Sequence, residues 1–442
     1  MTSSWEITLL ARGSVMARQA DTKIRRLLRK GHAAPRRFQR ATEVREAGRR
    51  PESALDVPGP LGARNMRTVA IVYKWIPQYR RRFFELLRET LAHGNVELIL
   101  VYGQPTGADA RKGDAVDIPW GIRIPNHSLR LAGVDAIWQP CLRQVRFADL
   151  VIVEQANKLL VNYVLLVWRR ATGRGIAFWG HGRNFQAGPG QHVSEWLKSH
   201  LVRSVTWWFA YGPTSAGIVA ATGFDSSRIT EVQNSVDTSS LAQAMDVVTV
   251  SGLAELRESL GLDGGNVCIY CGAMYHQKRL PFLIKACERI RDFVPDFEML
   301  FLGAGPSDTL VHDAASRNSW MHVVGPVFED ARAPYFALSK LQLMPGLVGL
   351  GIIDSFVTGV PLVTSSVDYH SPEIEYLRSD VNGVMVDDKL GVEGYSQAVV
   401  GLLSDEARRA VLVAGCREAA SQYTLEAMVA NFAEGVIRAL EV

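Results

Sequence analysis

Residues Met344-Pro345-Gly346-Leu347-Val348-Gly349-Leu350-Gly351-Ile352-Ile353-Asp354-Ser355-Phe356-Val357-Thr358-Gly359-Val360-Pro361-Leu362-Val363 read as a strand end, a glycine-rich turn that opens a helix, one carboxylate a turn into that helix, and a Gly-x-Pro stop before the next strand. Glycines at 349 and 351 let backbone approach a ligand closely, and the amides of a first helical turn point outward at the positive end of the dipole. Such a turn is an anion cradle suited to a diphosphate. Asp354, just behind it, would be repelled by phosphate but can accept hydrogen bonds from two adjacent sugar hydroxyls. Residue types alone leave a second reading open, a glycine-rich turn with Asp354 as a surface charge.

Strand-like and helix-like segments alternate on both sides of this stretch. Val69–Tyr73 reads as a buried parallel strand, followed by a helix over 80–93 with Phe83, Phe84, Leu87 and Leu91 on one face. Further strands are expected at 96–101, 150–153, 175–179, 207–211 and 229–232, with helices at 159–168, 193–202 and 214–221 between them. A second alternating series begins at Val267. The expected fold is α/β, two Rossmann-like domains facing across a cleft, which is the default place for a ligand. The expected divisions are a disordered Arg-rich extension over 1–65, a first domain over 66–240, a linker over 241–265, a second domain over 266–424, and a C-terminal helix over 425–442 that returns to the first domain.

The 442 residues, 47% hydrophobic and 21% charged, exclude collagen-like, low-complexity and wholly disordered classes. The net charge of +4 hides a split: residues 1–65 hold 14 basic and 6 acidic side chains, so the remainder is mildly acidic and nucleic acid is not an expected partner. Five cysteines form no spaced framework. Cys268 and Cys271 lie inside one apolar run, where alternation puts them on opposite faces of a strand rather than around a metal. The longest apolar run, Leu159–Trp168, is too short to span a membrane.

The pattern Pro-x-x-x-Gly-x-Gly-x-x-acid-x-x-x-x-Gly-x-Pro-x-Val resembles the donor-binding signature of retaining glycosyltransferases of the GT-B fold, family 4. Val232-Gln233-Asn234-Ser235-Val236-Asp237, Gly272–Lys278, Gly303-Ala304-Gly305-Pro306, Gly325-Pro326-Val327 and Asn382-Gly383 fall in family order. Ile71–Phe84 is similar to the opening of bacterial polysaccharide-assembly members.

The resemblance implies a hexosyl transfer from a UDP- or GDP-sugar, with retention and without a metal or other cofactor. It places Lys278 on the donor phosphates, Asp354 on the ribose and His181 facing the transferred sugar. The amides of Gly349, Leu350, Gly351 and Ile352 would take the pyrophosphate, and Glu373 in Ser371-Pro372-Glu373-Ile374 would close the donor pocket. The implied acceptor is a polyprenyl-linked or other glycan at the inner face of the plasma membrane. Arg80–Arg82 beside Phe83 and Phe84, and Trp196, Lys198, Arg203, Trp207 and Trp208, are the residues expected to meet an anionic membrane surface, or equally to be core and solvated face.

Three positions depart from the family. Gly346 stands where the first acid of the paired motif belongs, Asp354 replaces Glu, and Ala273 replaces a phosphate-binding Arg. Arg279 and Arg183 are the expected replacements. The departures also leave two alternatives: a GT-B-fold nucleotide-sugar epimerase and a degenerate GT-B binding protein.

Overall fold

The computed structural model describes residues 66–442 except 108–109, 111–112, 132–133, 157 and 183–203. The basic extension, the expected helix at 193–202, and Arg183, Trp196, Lys198 and Arg203 lie outside the described residues. Residues from Met66 onward form one compact unit.

Among the described residues the first lobe holds nine strands: β1 Arg67–Tyr73, β2 Val96–Tyr102, β3 Ile122–Arg123, β4 His127–Leu131, β5 Val134–Trp138, β6 Leu150–Glu154, β7 Gly175–Gly180, β8 Trp207–Ala210 and β9 Ile229–Glu231. Seven of them make a wholly parallel sheet in the order β3-β2-β1-β6-β7-β8-β9, and β4 and β5 pair as a separate antiparallel hairpin. The second lobe holds β10 Asn266–Cys271, β11 Phe297–Leu302, β12 Met321–Gly325, β13 Leu341–Leu343, β14 Leu362–Ser365 and β15 Gly383–Val386, parallel in the order β12-β11-β10-β13-β14-β15. In both sheets the order reverses beside the first strand, and the crevice outside the strand C-termini at that switch is where such folds bind ligands. This is the two-domain α/β architecture expected from the sequence.

The strands are apolar on both sides because helices cover both faces. Cys268 and Cys271 illustrate this: Cys268 packs with Leu283 and Phe297, and Cys271 packs on the opposite face with Leu300, Tyr335 and Phe336. All five cysteines are buried free thiols.

Residues 239–265 add more to the second lobe than a linker would. They form helices Ser239–Asp246 and Val250–Leu260, and Met245, Leu256 and Leu260 pack with Leu262, Tyr335 and Phe336. The weak apolar pattern that reads as a linker is that of helices burying one thin stripe.

The chain crosses between lobes twice. The outward crossing follows β9, where Gln233 adopts φ +54° and Asn234 N donates to Tyr211 O at 3.0 Å. The return follows Tyr423, and helix Leu425–Leu440 lays Leu425, Met428, Phe432 and Val436 against β1, β8 and helix Arg81–His93 of the first lobe. Phe432 stacks on Phe209 with centroids 4.3 Å apart. The two crossings touch where Ser235 Oγ donates to Tyr423 O at 2.8 Å.

The residues expected either at a membrane surface or as core and solvated face divide between core and surface. Phe83, Phe84 and Trp208 are fully buried, and Trp207 and Arg80 are 2% exposed. Arg80 points inward with its guanidinium 5.3 Å from the Trp179 ring, so it and the aromatic residues are first-lobe core, while Arg81 and Arg82 are exposed and pair with Glu85. No helix among the described residues is long and apolar enough to cross a membrane.

Candidate functional site

The glycine-rich turn lies at the C-terminal edge of the second sheet, between β13 and helix Gly351–Thr358. Four hydrogen bonds fix it. Leu347 N donates to Gln277 O at 2.8 Å, and Lys278 Nζ donates to Leu347 O at 2.6 Å. Val348 N donates to His370 Nδ1 at 3.0 Å, and Ser371 N donates to Val348 O at 2.9 Å. His370 Nε2 in turn lies 2.7 Å from Ser365 O, so the neutral ring donates at Nε2 and accepts at Nδ1.

Past this clamp, no backbone carbonyl of the described residues accepts from the amides of Gly349, Leu350 or Gly351. They are the outward donors of the cradle. The Ile352 amide, expected among them, instead closes the first turn onto Gly349 O at 3.1 Å and is not a free donor. Gly349 is small for a reason visible across the turn: a Cβ there would stand 3.3 Å from Ser371 Oγ and 3.8 Å from Glu373 Oε2.

Gly346 occupies the missing acid's position because the loop and the turn His276–Lys278 press together. A Cβ at 346 would lie 2.3 Å from Gln277 O and 2.5 Å from the Lys278 carbonyl carbon. The same contact places Lys278 beneath the cradle, 7% exposed, with its ammonium 5.6 Å from the Tyr275 ring. Burial pulls the Lys278 pKa down to about 8, so it is still mostly charged at neutral pH.

Asp354 does not project freely from its helix. Arg332 holds it in a two-pronged pair, and the guanidinium is close enough to the Cys271 thiol to interact with it electrostatically. Burial lowers the Arg332 pKa, and the Asp354 carboxylate with Cys271 outweighs that and raises it. Arg332 is the candidate site residue that sequence reasoning missed; its one signal is its place in the loop after Gly325-Pro326-Val327. Of the two expected replacements for the missing Arg at 273, Arg279 pairs with Asp388 and lies over Phe282 at 4.3 Å instead of facing the cradle.

Glu373 is brought to the cradle, 4% exposed, with its pKa raised by burial. Its Oε1 accepts from Asn234 Nδ2 at the crossing between lobes. His181 follows β7 in the first lobe, and its ring lies 4.4 Å from that of Tyr211. Tyr211 is close enough to Arg80 and Glu373 to feel both charges, which places His181 on the first-lobe side of the same centre. Burial pushes the His181 pKa down to about 4, so the imidazole is neutral at neutral pH. Glu154, at the end of β6, belongs to this side too: burial raises it to about 7, and it accepts from Lys74 N. A cavity of about 580 Å³ lined by Arg67, Arg170, Arg174 and Thr206 is unrelated to this centre, since it lies at the N-terminal edge of β1 and β7.

The fold is of the two-lobed GT-B type, with the glycine-rich turn in its second lobe. Residues 265–405, which contain Lys278, the cradle, Arg332, Asp354 and Glu373, match the family model for glycosyl transferases group 1. The phosphatidyl-myo-inositol mannosyltransferase of Mycolicibacterium smegmatis is 24% identical over 206 residues, 45% of this chain and 48% of that protein. The chain thus spans about half the length of the curated relative it matches. HepE of Anabaena in complex with UDP superposes with a TM-score of 0.62 at 14% identity, covering 84% of this chain and 100% of that one. The same protein in complex with UDP-glucose gives 0.61 at 14%, covering 84% and 99%. Sucrose-phosphate synthase from Thermosynechococcus elongatus gives 0.60 at 14%, covering 84% and 98%. These structural likenesses are of fold.

Proposed function

We propose that the protein transfers a hexose from a nucleoside-diphosphate sugar to a glycan acceptor, with retention of configuration. The observation that carries this is the cradle itself: outward amides at Gly349–Gly351 with the Lys278 ammonium held directly beneath them. A departing nucleoside diphosphate needs its growing charge stabilised, and preorganised amides, a helix N-terminus and a buried cation do so without reorganising. That charge supply calls for no metal. Asp354 and Arg332 border the nucleoside side, and Glu373 and His181 face the sugar from the two lobes. Acceptor positioning and exclusion of water between the lobes supply the rest of the rate.

A UDP donor is favoured by the UDP and UDP-glucose complexes of HepE. A hexose and a lipid-linked acceptor are favoured by the mannosyltransferase activity named for the mycobacterial relative. With such an acceptor the enzyme works at the inner face of the plasma membrane, without the buried Arg80, Phe83 and Phe84 as its anchor.

The test is a panel of UDP- and GDP-sugars incubated with and without membrane-extracted glycolipid. The expected result is nucleoside diphosphate release that increases with acceptor and labels the lipid fraction. Interconversion of the donor without acceptor would assign an epimerase instead. Absence of any nucleotide binding would assign a non-catalytic binding protein. Flotation with anionic liposomes tests the membrane; protein left wholly in the soluble fraction counts against it.

A further inference from the structure

Asn234 sits where the chain leaves the first lobe, 4% exposed, and each of its polar groups is engaged by a different neighbour. Its Oδ1 accepts from Arg80 Nη2, and its Nδ2 donates to Glu373 Oε1. Its amide donates to Tyr211 O at 3.0 Å, and its carbonyl accepts from Tyr376 Oη at 3.1 Å. Arg80 is fixed in turn by Ser235 O at 3.3 Å and by the Trp179 ring. A buried chain of cation, amide and carboxylate therefore runs from the first lobe, through the crossing, to the wall of the cradle.

The segment receiving that chain is short and doubly anchored. His370 and Ser371 tie it to Val348 in the cradle loop, while Glu375 Oε2 accepts from Thr214 N at 2.9 Å, at the start of first-lobe helix Pro213–Ala221. Within it, Glu373 has one oxygen on Asn234 and the other beside Gly349. An apolar contact would join the lobes as well as this polar chain does, but it would not set the direction of a carboxylate.

We infer that Asn234 is a positioning residue: braced by Arg80, it turns Glu373 so that the second carboxylate oxygen accepts from a hydroxyl of the donor sugar, and it does so only with the two lobes in register. This rests on the nucleotide-sugar reading of the cradle. The ligand class is the hexosyl part of the donor, and the nucleotide part is outside Asn234's influence.

The experiment is an isosteric exchange. Asn234→Asp puts two carboxylates together, and Glu373→Gln aims an amide at the cradle. The double variant N234D/E373Q restores every bond with the same net charge: the carboxylate now at position 234 accepts from Arg80 and from the side-chain amide now at position 373, whose oxygen is left facing the cradle. Dissociation constants for UDP and for the tightest binder among UDP-glucose, UDP-galactose, UDP-N-acetylglucosamine and GDP-mannose are measured by calorimetry, with GDP replacing UDP for a GDP-sugar. Each single variant is expected to lose about tenfold or more in sugar-nucleotide affinity with nucleotide affinity held within about threefold, and the double variant to recover most of the loss. Tyr376→Phe, which removes only the hydroxyl on Asn234 O, is the milder form should a single variant not fold; about a threefold loss confined to the sugar nucleotide is expected. Equal losses for nucleotide and sugar nucleotide, or a folded double variant no better than the singles, would overturn the inference. Absence of nucleotide binding by the parent would overturn the nucleotide-sugar reading, and the inference with it.

Discussion

Arg332 holds Asp354 with two nitrogens, Nη1 on Oδ2 at 2.5 Å and Nη2 on Oδ1 at 3.1 Å, with both side chains less than a fifth exposed. The carboxylate that the proposed function puts on the nucleoside side is thus already oriented by a guanidinium from a neighbouring loop. Removing either partner strands a mostly buried charge, at a cost of about 3 kcal/mol. Arg332→Ala and Asp354→Ala are each expected to lower the urea midpoint and weaken nucleotide binding, and the double variant to lose less than the sum. Additive losses in a double-mutant cycle would show that the pair does not act as a unit.

In the proposed donor site, Lys278 sets the pH dependence of donor capture. Its pKa is lowered by burial to about 8, so the charge that faces the diphosphate is present below that pH and lost above it. kcat/KM for the donor is expected to fall as pH rises through about 8, and Lys278→Arg, charged throughout, to lack this limb. The linkage to stability runs the other way. The unfolded chain keeps the Lys278 proton up to roughly pH 10.4, so between about 8 and that value the parent gains stability relative to Lys278→Met as pH rises. A flat kcat/KM profile from pH 7 to 9 would remove Lys278 from the phosphate site.

Gly346→Glu distinguishes a coordinated departure from decay. Restoring the acid brings a Cβ within 2.3 Å of Gln277 O and forces the Lys278 turn away from the cradle. A destabilisation of about 1–3 kcal/mol or more and weaker nucleotide binding are expected from thermal unfolding with and without UDP. Higher transferase activity in this variant would mean that the parent has lost a working acid.

Phe432 ties the C-terminal helix to the first lobe through Phe209, Trp179 and Phe83. Phe432→Ala is expected to cost about 3–5 kcal/mol, read as a lower urea midpoint, and truncation after Tyr423 to prevent folding. A truncated chain that melts like the parent would show that the helix is dispensable.

Much of this was legible in the sequence, for identifiable reasons. The parallel strands and the cradle helix were readable because apolar runs, glycines 349 and 351 and the Gly359-Val360-Pro361 stop are local signals. The hairpin β4–β5 and the helices over 239–260 were not, since short elements with thin apolar stripes gain their stability from tertiary packing. Arg332 was invisible because a pair 22 residues apart on different elements has no spacing rule. Arg80 misled because an arginine beside others reads as surface, whereas here aromatic rings and the Asn234 amide bury it.

Whether the cradle binds a nucleotide sugar is tested most directly by calorimetric titration of UDP and GDP into the parent and into Lys278→Ala. The expected result is one-to-one binding of one nucleotide by the parent and a loss of about tenfold or more in the variant. Equal affinities in the two proteins, or no binding by a folded parent, would contradict the assignment of this site.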